Sequence, residues 1–493
     1  MVSTHDATTM ITRRASLVPA ICFAVLAVFT LCISRAQPAT SPTTEPTEAA
    51  IRRLLAERVN AIAGSDDRIG IVVGLVDAQG EKIISYSHSH PPNRAAFTGD
   101  TVFEIGSVGK AFTALLLADM VQRHEVALAD PVAKYLPPGD KLPQRDGHQI
   151  SLVDLATHTS GLPFFPDTYP SLGDADEYSS RDLYGFLSHY TLKRDPGADW
   201  EYSNIGYWLL GQALATQARV PLDELLERRV FTPLKMSNTG GKLTEQMRAR
   251  LAHGYDASLD PAPPFCALSV YKTLGVAAGG VYSSVNDLLN FVSVALGIKA
   301  SPLRPSIEAM TKTRRAIDED QQQALGWVVE DKGAHEFYFH DGGTWGYASA
   351  VAWDPAKRTG VVVLSNQQQG VADIARHLLR PEIPLATPSL AKHREISMSA
   401  LALDDYRGLY RAEDVGVFRI TLEGDHLVLA VPVDWGLPKF RLHPENDQDF
   451  FVAEMPMRVT FQRDRNSSIT SALIYPPRGQ HGISAIKLAA QPH

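Results

Sequence analysis

Apolar residues recur along the first part of the chain with two different spacings. Between residues 48 and 63 they return every three to four positions, which predicts an amphipathic helix. Ile69 to Val76 and Lys82 to Tyr86 then read as two strands joined by a turn. From about residue 107 to residue 300 helical patterns dominate, and Pro- and Gly-rich loops separate them. The chain therefore opens with a helix and a strand pair and continues into a long helical region.

A second group of strands follows the helical region. Tyr347 to Trp353 and Gly360 to Leu364 are apolar runs rich in β-forming residues, and the polar segment 354–359 between them indicates a hairpin. The order along the chain is thus strands, many helices, strands. A single sheet whose strands come from both ends of this segment, with helices packed on it, satisfies that order best.

The helical period disappears towards the end of the chain. Pro381, Pro384 and Pro388 mark a linker, which we place at residues 386–404. From residue 405 onwards short β runs follow at regular spacing: Phe418 to Leu422, His426 to Val431, Lys439 to Leu442, Phe450 to Glu454, Arg458 to Gln462, Ile469 to Tyr475 and Gly482 to Leu488. Seven or eight such strands predict a small all-β barrel or sandwich. Its sequence carries no set of catalytic residue types, which favours a role in packing or in gating substrate access.

The first 36 residues differ from the rest of the chain. Arg13 and Arg14 precede a nearly uncharged apolar stretch from Leu17 to Ile33, and Ser34-Arg35-Ala36 places small residues at both specificity positions of a cleavage site. This layout predicts a cleaved signal peptide over residues 1–36, so that the chain is periplasmic or secreted. The alternative is an uncleaved membrane anchor of about 17 residues, near the short limit for spanning a bilayer.

Composition and charge narrow the possible functions. The 493 residues are 44% apolar and 21% charged, which fits one large domain at 48–385 and a smaller one at 405–493, after a Pro/Thr/Ser-rich flexible lead-in at 37–47. The formal net charge is −8, and no zinc finger, helix-turn-helix or Gly-rich phosphate loop is recognisable. We therefore do not expect nucleic acid as a partner, and a membrane enters only through the possible N-terminal anchor.

Cysteine and histidine patterns do not suggest a metal or another cofactor. Cys22 and Cys32 lie in the predicted signal peptide, so Cys266 alone remains and no Cys-x-x-Cys pair exists. His88-Ser89-His90 resembles the start of a zinc-ligand set, but Pro92 occupies the position of the third ligand. We expect neither a metal nor a cofactor.

One Ser-x-x-Lys pattern stands at the start of a strongly apolar helical segment. Ser107 lies at the first turn of the predicted helix 108–123, and Lys110 follows three residues later on the same face. A serine hydroxyl needs a neighbouring base to become a nucleophile, so this pairing has chemical sense. The pattern alone is weak, because it also occurs at Ser269, Ser389 and Ser484, and because an ordinary helix cap would explain Ser107 as well.

Two further patterns, each found once, support a catalytic reading of Ser107. Tyr202-Ser203-Asn204 stands where a helix running to about Arg219 begins. His340-Asp341-Gly342 stands at the start of the late hairpin. Residue types that carry protons and bind substrate thus occur at two distant points of the chain, each at the end of a predicted element.

In this order the three patterns resemble those of the serine hydrolase family of class C β-lactamases, DD-peptidases and related esterases. Three other segments are similar to family segments: His158-Thr159-Ser160-Gly161-Leu162-Pro163, Pro233-Leu234-Lys235-Met236 and Ala278-Gly279-Gly280-Val281-Tyr282-Ser283. The resemblance covers residues 50 to 385, and the C-terminal unit resembles the β accessory domains of some members. It implies an α+β or α/β fold, with an antiparallel sheet flanked by helices and an all-helical region, followed by the small all-β barrel-like domain.

The resemblance also implies a role for each motif residue. Ser107 would be the nucleophile, Lys110 and Tyr202 would share its proton, and Asn204 would orient the substrate or Lys110. The backbone N–H groups of Ser107 and Gly343 would form the oxyanion hole. Lysine and tyrosine, with reference pKa values of about 10.4 and about 10, are poor bases at neutral pH unless the site shifts those values. An adjacent ammonium favours the phenolate, and desolvation disfavours the ammonium.

One motif departs from that of efficient class C β-lactamases, which have Lys-Thr-Gly where this chain has His340-Asp341-Gly342. A neutral imidazole holds a carboxylate weakly, and Asp341 would repel one if it faced the cleft. His340 and Gly342 are therefore expected to bind or orient substrate, while strong β-lactamase activity is not expected. The substrate is predicted to be a peptidoglycan fragment, another D-amino-acid peptide or amide, or an ester. A modest β-lactamase and a non-catalytic penicillin-binding protein remain the alternatives.

Overall fold

The computed structural model describes residues 47–63, 68–87, 96–137, 139, 141–166, 178–256, 259, 261–262, 264–267, 274–330, 336–386, 395–412, 416–431, 439–452, 457–465, 467–475 and 482–488. The predicted signal peptide, nearly all of the predicted lead-in, and His88 and His90 lie outside these residues. None of the helices described is long and apolar enough to cross a membrane.

A large antiparallel sheet organises the N-terminal part of the chain. The described strands of this part are β1 (Gly70–Asp77), β2 (Gly80–Ser87), β3 (Val102–Glu104), β4 (Gln144–Arg145), β5 (His148–Gln149), β6 (Tyr282–Ser284), β7 (Arg315–Ala316), β8 (Gln321–Ala324), β9 (Trp327–Glu330), β10 (Phe337–Gly343), β11 (Ala348–Asp354) and β12 (Thr359–Ser365). Eight of them form one sheet in the order β2-β1-β12-β11-β10-β9-β8-β7. Ile71 of β1 pairs with Ser365 of β12. The sheet therefore joins strands from both ends of the segment, as the sequence predicts.

Strand β10 differs from the sequence prediction. The prediction placed His340-Asp341-Gly342 at the start of the hairpin, but these residues lie inside β10, where Asp341 pairs with Ala350 of β11. The aromatic run Phe337-Tyr338-Phe339, a strong β-former, starts this strand. The strand was not recognised from the sequence, because the polar pair His340-Asp341 interrupts the apolar run on which the prediction relied.

Helices fill the region between the two strand groups, as predicted. Those described are α1 (Glu48–Ala63), α2 (Gly109–Gln122), α3 (Leu152–Ala156), α4 (Ser180–His189), α5 (Asn204–Ala218), α6 (Leu222–Leu226), α7 (Glu245–Arg248), α8 (Val285–Ala295), α9 (Arg304–Met310), α10 (Ala372–Leu379) and α11 (Ala400–Asp404). Helix α2 is buried from Gly109 to Met120, which explains its nearly unbroken apolar sequence. Burying each of its leucines contributes about 1.5–3 kcal/mol to folding.

The two faces of the sheet are covered by different helices. On one face, α8 approaches so closely that a Cβ at Gly74 would lie 2.8 Å from Leu289 Cδ1. On the other face, Ile51 and Leu55 of α1 pack with α10 against strand residues such as Val363. The alternation of β1 and β12 side chains between these two layers follows the two-residue period of a strand. Of the three sequence motifs, Ser107 precedes α2, Tyr202 and Ser203 precede α5, and His340-Asp341-Gly342 lies in β10.

The C-terminal part of the chain is a closed antiparallel barrel. Its strands are β13 (Gly408–Ala412), β14 (Gly416–Glu423), β15 (His426–Ala430), β16 (Phe440–Pro444), β17 (Asp449–Val452), β18 (Met457–Arg463), β19 (Ile469–Tyr475) and β20 (Ile483–Lys487). β13 closes on β20 through the pair Tyr410 and Lys487. Tyr406, Phe450 and Phe461 fill the interior with ring centroids about 5 Å apart. The predicted small all-β domain is confirmed as a barrel rather than a sandwich.

Candidate active site

The turn that carries Ser107 requires a glycine at position 106. Gly106 has φ +49°, a left-handed conformation, and a Cβ there would lie 2.7 Å from Gly343 O and 2.8 Å from Gly343 N. The turn Gly106–Val108 forms a short 3₁₀ segment that leads directly into α2. Ser107 thus stands just before an apolar buried helix, with the positive end of the helix dipole behind it.

Tyr202 and Asn204 are held in place by the cap of α5. Ser203 is extended, and its Oγ accepts a hydrogen bond from Gly206 N at 2.9 Å and donates to Pro163 O at 2.7 Å. The N–H of Asn204 donates to Phe164 O at 3.1 Å. These bonds fix the backbone on both sides of the cap, so that the side chains of Tyr202 and Asn204 both reach the Ser107–Lys110 pair.

The motif residues meet in one hydrogen-bonded group. The Tyr202 hydroxyl lies 2.9 Å from Ser107 Oγ, and Lys110 Nζ lies 3.2 Å from the same oxygen. Lys110 Nζ also lies 2.7 Å from Asn204 Oδ1 and 2.5 Å from Ala278 O. The structure therefore brings together Ser107, Lys110, Tyr202 and Asn204 from two separate stretches of the chain, and Asn204 contacts Lys110 itself.

Burial favours the uncharged forms of Lys110 and Tyr202. Desolvation lowers the pKa of Lys110 well below its usual value, because the side chain is completely buried. Desolvation also raises the pKa of Tyr202 well above 10, and the hydrogen bond to Ser107 opposes this only in part. The expectation that an adjacent ammonium would favour a tyrosine phenolate is therefore not supported. The structure favours a neutral amine beside a neutral phenol.

Hydrogen-bond counting agrees with a neutral Lys110. A neutral amine has two N–H donors and one lone pair, and two of its three neighbours, Asn204 Oδ1 and Ala278 O, can only accept. If both donors go to these oxygens, the lone pair remains for the third neighbour, the Ser107 hydroxyl. In that arrangement Ser107 donates its proton to Lys110 and accepts a hydrogen bond from the Tyr202 hydroxyl.

The end of β10 lies directly against the Ser107 turn. Thr344 N donates to Tyr347 O at 3.0 Å, so the neighbouring pair, Gly343 and Ala348, is the non-hydrogen-bonded type. The Gly343 N–H consequently points away from β11. On that side β9 pairs with β10 only as far as Phe339 within the described residues. Both N–H groups lie at the contact between β10 and the Ser107 turn, because a Cβ on Gly106 would be 2.8 Å from Gly343 N and a Cβ on Gly342 would be 2.8 Å from Ser107 N. The oxyanion hole at these two groups stays a prediction.

Gly342 is predicted to tolerate no side chain. A Cβ there would overlap Ile105 O and lie 2.8 Å from Ser107 N, and both atoms belong to the backbone of the nucleophile turn. We expect Gly342→Ala to displace that turn and to lower kcat by about 10²-fold, the scale of a 1 Å misplacement. Steady-state kinetics and thermal unfolding measure this change.

Gly185 in α4 is the matched control, because a Cβ there meets nothing within 4 Å. Gly185→Ala should leave kcat unchanged and stabilise the helix slightly. An active, normally stable Gly342→Ala variant would contradict the tight packing of β10 against the Ser107 turn.

His340 is buried and uncharged. Its Nδ1 lies 2.7 Å from Asp341 O, and since a carbonyl can only accept, Nδ1 carries the proton. Desolvation lowers the pKa of His340 to about 3. The neutral ring therefore has a bare lone pair on Nε2 and no free N–H to offer. Asp341 alternates to the face of β10 opposite Gly342, although its charge still raises the pKa of Tyr202.

Two groups of the site were missed by sequence reasoning. The His158 ring stacks on Tyr202 at 4.2 Å between centroids, and its Nδ1 accepts a hydrogen bond from Ser203 N at 3.1 Å. The Ala278 carbonyl accepts from Lys110. Both lie in segments singled out by their resemblance to family segments, which was the available signal, but neither a backbone oxygen nor a stacked ring can be assigned a role without coordinates.

The other Ser-x-x-Lys patterns do not form comparable sites in the described residues. Ser484 and Lys487 lie in strand β20, and the Lys487 ammonium donates to Asp405 O instead. Ser269 and Ser389 lie outside the described residues. No group of three or more His, Cys, Asp or Glu side chains in the described part of the chain could hold a metal ion.

Comparisons with known proteins identify the family and the fold of the N-terminal part. The sequence model of the Beta-lactamase family matches residues 51–382, and that of a domain of unknown function, DUF3471, matches residues 392–485. The D-alanyl-D-alanine-carboxypeptidase/endopeptidase AmpH of Escherichia coli (strain K12) is 27% identical, over 65% of this chain and 87% of that protein. A β-lactamase of Pseudomonas fluorescens is also 27% identical, over 64% and 94%. The crystal structure of a class C β-lactamase from Rhodobacter sphaeroides has the same fold, with a TM-score of 0.57, 23% identity, and coverage of 68% and 99%.

Proposed function

The chain belongs to the β-lactamase family, and from this premise we propose that it is a serine hydrolase that forms an acyl-enzyme on Ser107. Its substrate would be a D-amino-acid peptide, amide or ester. The observation that carries the proposal is the contact of Ser107 Oγ with both Lys110 Nζ, at 3.2 Å, and the Tyr202 hydroxyl, at 2.9 Å. A hydroxyl placed between a neutral amine and a neutral phenol can lose its proton to one and regain a proton from the other.

Acylation follows from these contacts. Ser107 Oγ attacks the carbonyl carbon of the substrate while its proton passes to the lone pair of Lys110. The oxygen of the tetrahedral intermediate becomes negative and is stabilised by the N–H groups of Ser107 and Gly343. As the carbonyl re-forms, the bond to the leaving group breaks, and that group takes the Tyr202 proton. The Lys110 ammonium then returns a proton to Tyr202, so that both groups are neutral again.

Deacylation repeats the same steps with water as the nucleophile. Water loses a proton to the Tyr202–Lys110 pair and attacks the acyl carbon on Ser107. The same two N–H groups hold the oxyanion, and Ser107 Oγ leaves with a proton returned by the pair. No group outside the four residues in mutual contact is needed to balance the protons, which supports a hydrolase without a cofactor.

The state of His340 limits the range of substrates. A substrate carboxylate needs a cation or an N–H donor, and the neutral His340 ring already uses its single N–H on Asp341 O. We therefore propose that substrates without a carboxylate at this strand, such as peptides cleaved internally or esters, are preferred over β-lactams.

Parallel assays with three probes test this preference. The chain would be given p-nitrophenyl esters of short acids, an acylated D-alanyl-D-alanine peptide whose C-terminus is amidated, and a chromogenic cephalosporin. We expect kcat/KM for an ester or the peptide to exceed that for the cephalosporin. A fluorescent penicillin distinguishes a peptidase from an esterase. Labelling with slow release favours a peptidase, and rapid ester turnover with poor labelling favours an esterase. If the cephalosporin were the best of the three probes, the proposed preference would be wrong.

Export completes the proposal. The basic, apolar and small-residue segments of residues 1–36 support a signal peptide, and an exported hydrolase would meet peptidoglycan. N-terminal sequencing of the chain secreted by a bacterial host tests this, since cleavage after Ala36 is expected. A retained residue 1 would favour the membrane anchor instead.

A further inference from the structure

A buried carboxyl group lies behind the proposed oxyanion hole. Glu104 is the last residue of β3, three positions before Ser107, and is 1% exposed. Its Oε1 accepts a hydrogen bond from Cys266 N at 2.9 Å. The hydroxyl of Thr344, the residue after Gly343, lies near enough to favour the ionised carboxyl. Glu104 therefore touches the segment 265–267 and the turn that carries the Gly343 N–H.

This carboxyl is only partly satisfied. Glu104 Oε2 and Thr344 Oγ1 are both buried and have no hydrogen-bond partner of good geometry among the described residues. A buried carboxylate normally accepts several hydrogen bonds, because burying an unpaired charge is costly. The mechanism proposed above leaves this group without a role, so its burial at this place needs its own explanation.

The surroundings of Glu104 link it mechanically to the oxyanion hole. Tyr347, at the end of the same turn, donates to Ala252 O at 2.5 Å. Trp345, which lies between Thr344 and Tyr347 in the sequence, packs edge to face on Phe265, with ring centroids 5.4 Å apart. The Glu104 carboxyl thus lies next to both the turn that carries the Gly343 N–H and the segment 265–267 that packs on this turn.

We propose, on the basis of the function proposed above, that Glu104 is a positioning residue of the oxyanion hole and that its uncharged form supports catalysis. In either form the carboxyl group can hydrogen-bond to the Thr344 hydroxyl, but only the uncharged form does so without placing a charge behind the Gly343 turn. In the ionised form it places a negative charge next to the residue that follows Gly343, which opposes the negative oxygen of the intermediate. The enzyme would then lose activity when this buried group loses its proton.

The surroundings of Glu104 place the loss of its proton near neutral pH. Desolvation raises the pKa of Glu104 to about 7, and hydrogen bonds from Cys266, Thr344 and Phe265 oppose it. The titratable groups that face it are Cys266, Tyr282 on β6 and Tyr347, whose pKa values are all raised by burial. Arg248 on α7 acts on Tyr282. Cys266, Tyr282 and Tyr347 are therefore uncharged near neutral pH.

The test is the pH profile of kcat for p-nitrophenyl acetate, followed at the isosbestic wavelength of p-nitrophenol. We expect kcat of the parent to fall about tenfold on the alkaline side with a midpoint near 7. Glu104→Gln keeps the shape of the uncharged acid, so it should lose this fall while KM stays the same. Exposed Glu308 on α9 offers the control, because Glu308→Gln should keep the parent profile.

A second variant keeps the inference testable if Glu104→Gln does not fold. Thr344→Val removes the hydroxyl that lowers the pKa of Glu104, so the midpoint should move to higher pH. A role in packing alone would change activity equally at every pH. If Glu104→Gln or Thr344→Val folded and kept the parent profile, this inference would be wrong while the proposed function stood. If the parent itself hydrolysed no ester, peptide or β-lactam, the proposed function would fall, and this inference with it.

Discussion

Replacing Ser107 with alanine is expected to lower kcat by at least about 10⁴-fold on every substrate, the largest effect of any single change in the chain. The alanine variant has no atom that can bond the acyl group, whereas the buried Lys110 and Tyr202 remain in place. Any remaining rate would come from substrate binding and from the N–H groups of residues 107 and 343. Active-site titration and steady-state kinetics on one ester and one D-amino-acid peptide measure the loss.

Ser484 provides a matched control for this substitution. It stands in the same Ser-x-x-Lys spacing, but in strand β20 of the barrel. Ser484→Ala should retain the parent rate, because Lys487 contacts Asp405 O rather than the serine. If Ser107→Ala kept more than a small fraction of the parent activity, a different nucleophile would have to be sought.

The second large effect is expected at Lys110. Lys110→Met keeps the length and the apolar stem of the side chain but removes the lone pair that takes the Ser107 proton. Loss of a general base typically costs about 10²–10⁴-fold, and we expect the upper part of that range because Lys110 contacts the attacking oxygen. Lys357, which is exposed in the turn between β11 and β12, is the control, and Lys357→Met should behave as the parent.

The pH dependence of the acylation rate of the parent should report the protonation state of Lys110. Lys110 must be unprotonated to act as a base, and burial lowers its pKa well below 10.5. Acylation should therefore rise with pH through an acidic limb that ends well below the pH at which a normal lysine would lose its proton, and the ionisation of Glu104 should add the separate alkaline fall described above. His340, with a pKa near 3, should add no limb above that pH. An acylation rate that rose only above pH 10 would show that Lys110 is an ordinary ammonium.

Much of the fold could be predicted because its signals are local. The apolar run from Leu115 to Leu117 identifies the buried helix behind Ser107, and the Ser203 cap identifies the start of α5. The regular short β runs after residue 405 predict the barrel, which the structure closes between β13 and β20. β13 itself was missed, since Gly408 and Arg411 weaken its apolar pattern.

The electrostatic state of the site could not be predicted, because it depends on contacts between distant residues. The charge of Lys110 follows from complete burial against Asn204 and Ala278, 94 and 168 positions away. The bare Nε2 of His340 follows from one bond to a neighbouring carbonyl. Glu104 attracted no attention in the sequence, since a glutamate at the end of a strand is usually exposed. The motif identified the residues, and the packing decided which of them carry a proton.

The described residues of the barrel form an apolar core. Its buried side chains are aromatic and aliphatic, with Tyr410 donating to Tyr406 O at 2.7 Å inside it. Its outward residues alternate with this core along each strand, as in β18, where Val459 and Phe461 are buried and Arg458 is exposed. Catalysis is accordingly assigned to residues of the N-terminal part.

The most direct test of the account is the mass of the trapped acyl-enzyme. The chain would be mixed with a slowly released penicillin or an activated ester, quenched in acid, digested and analysed by peptide mass spectrometry. The account predicts one added acyl group on the peptide that contains Ser107, present in the parent and in Ser484→Ala, and missing in Ser107→Ala. An acyl group on any other residue, or turnover by the parent with no adduct under any quench, would contradict it.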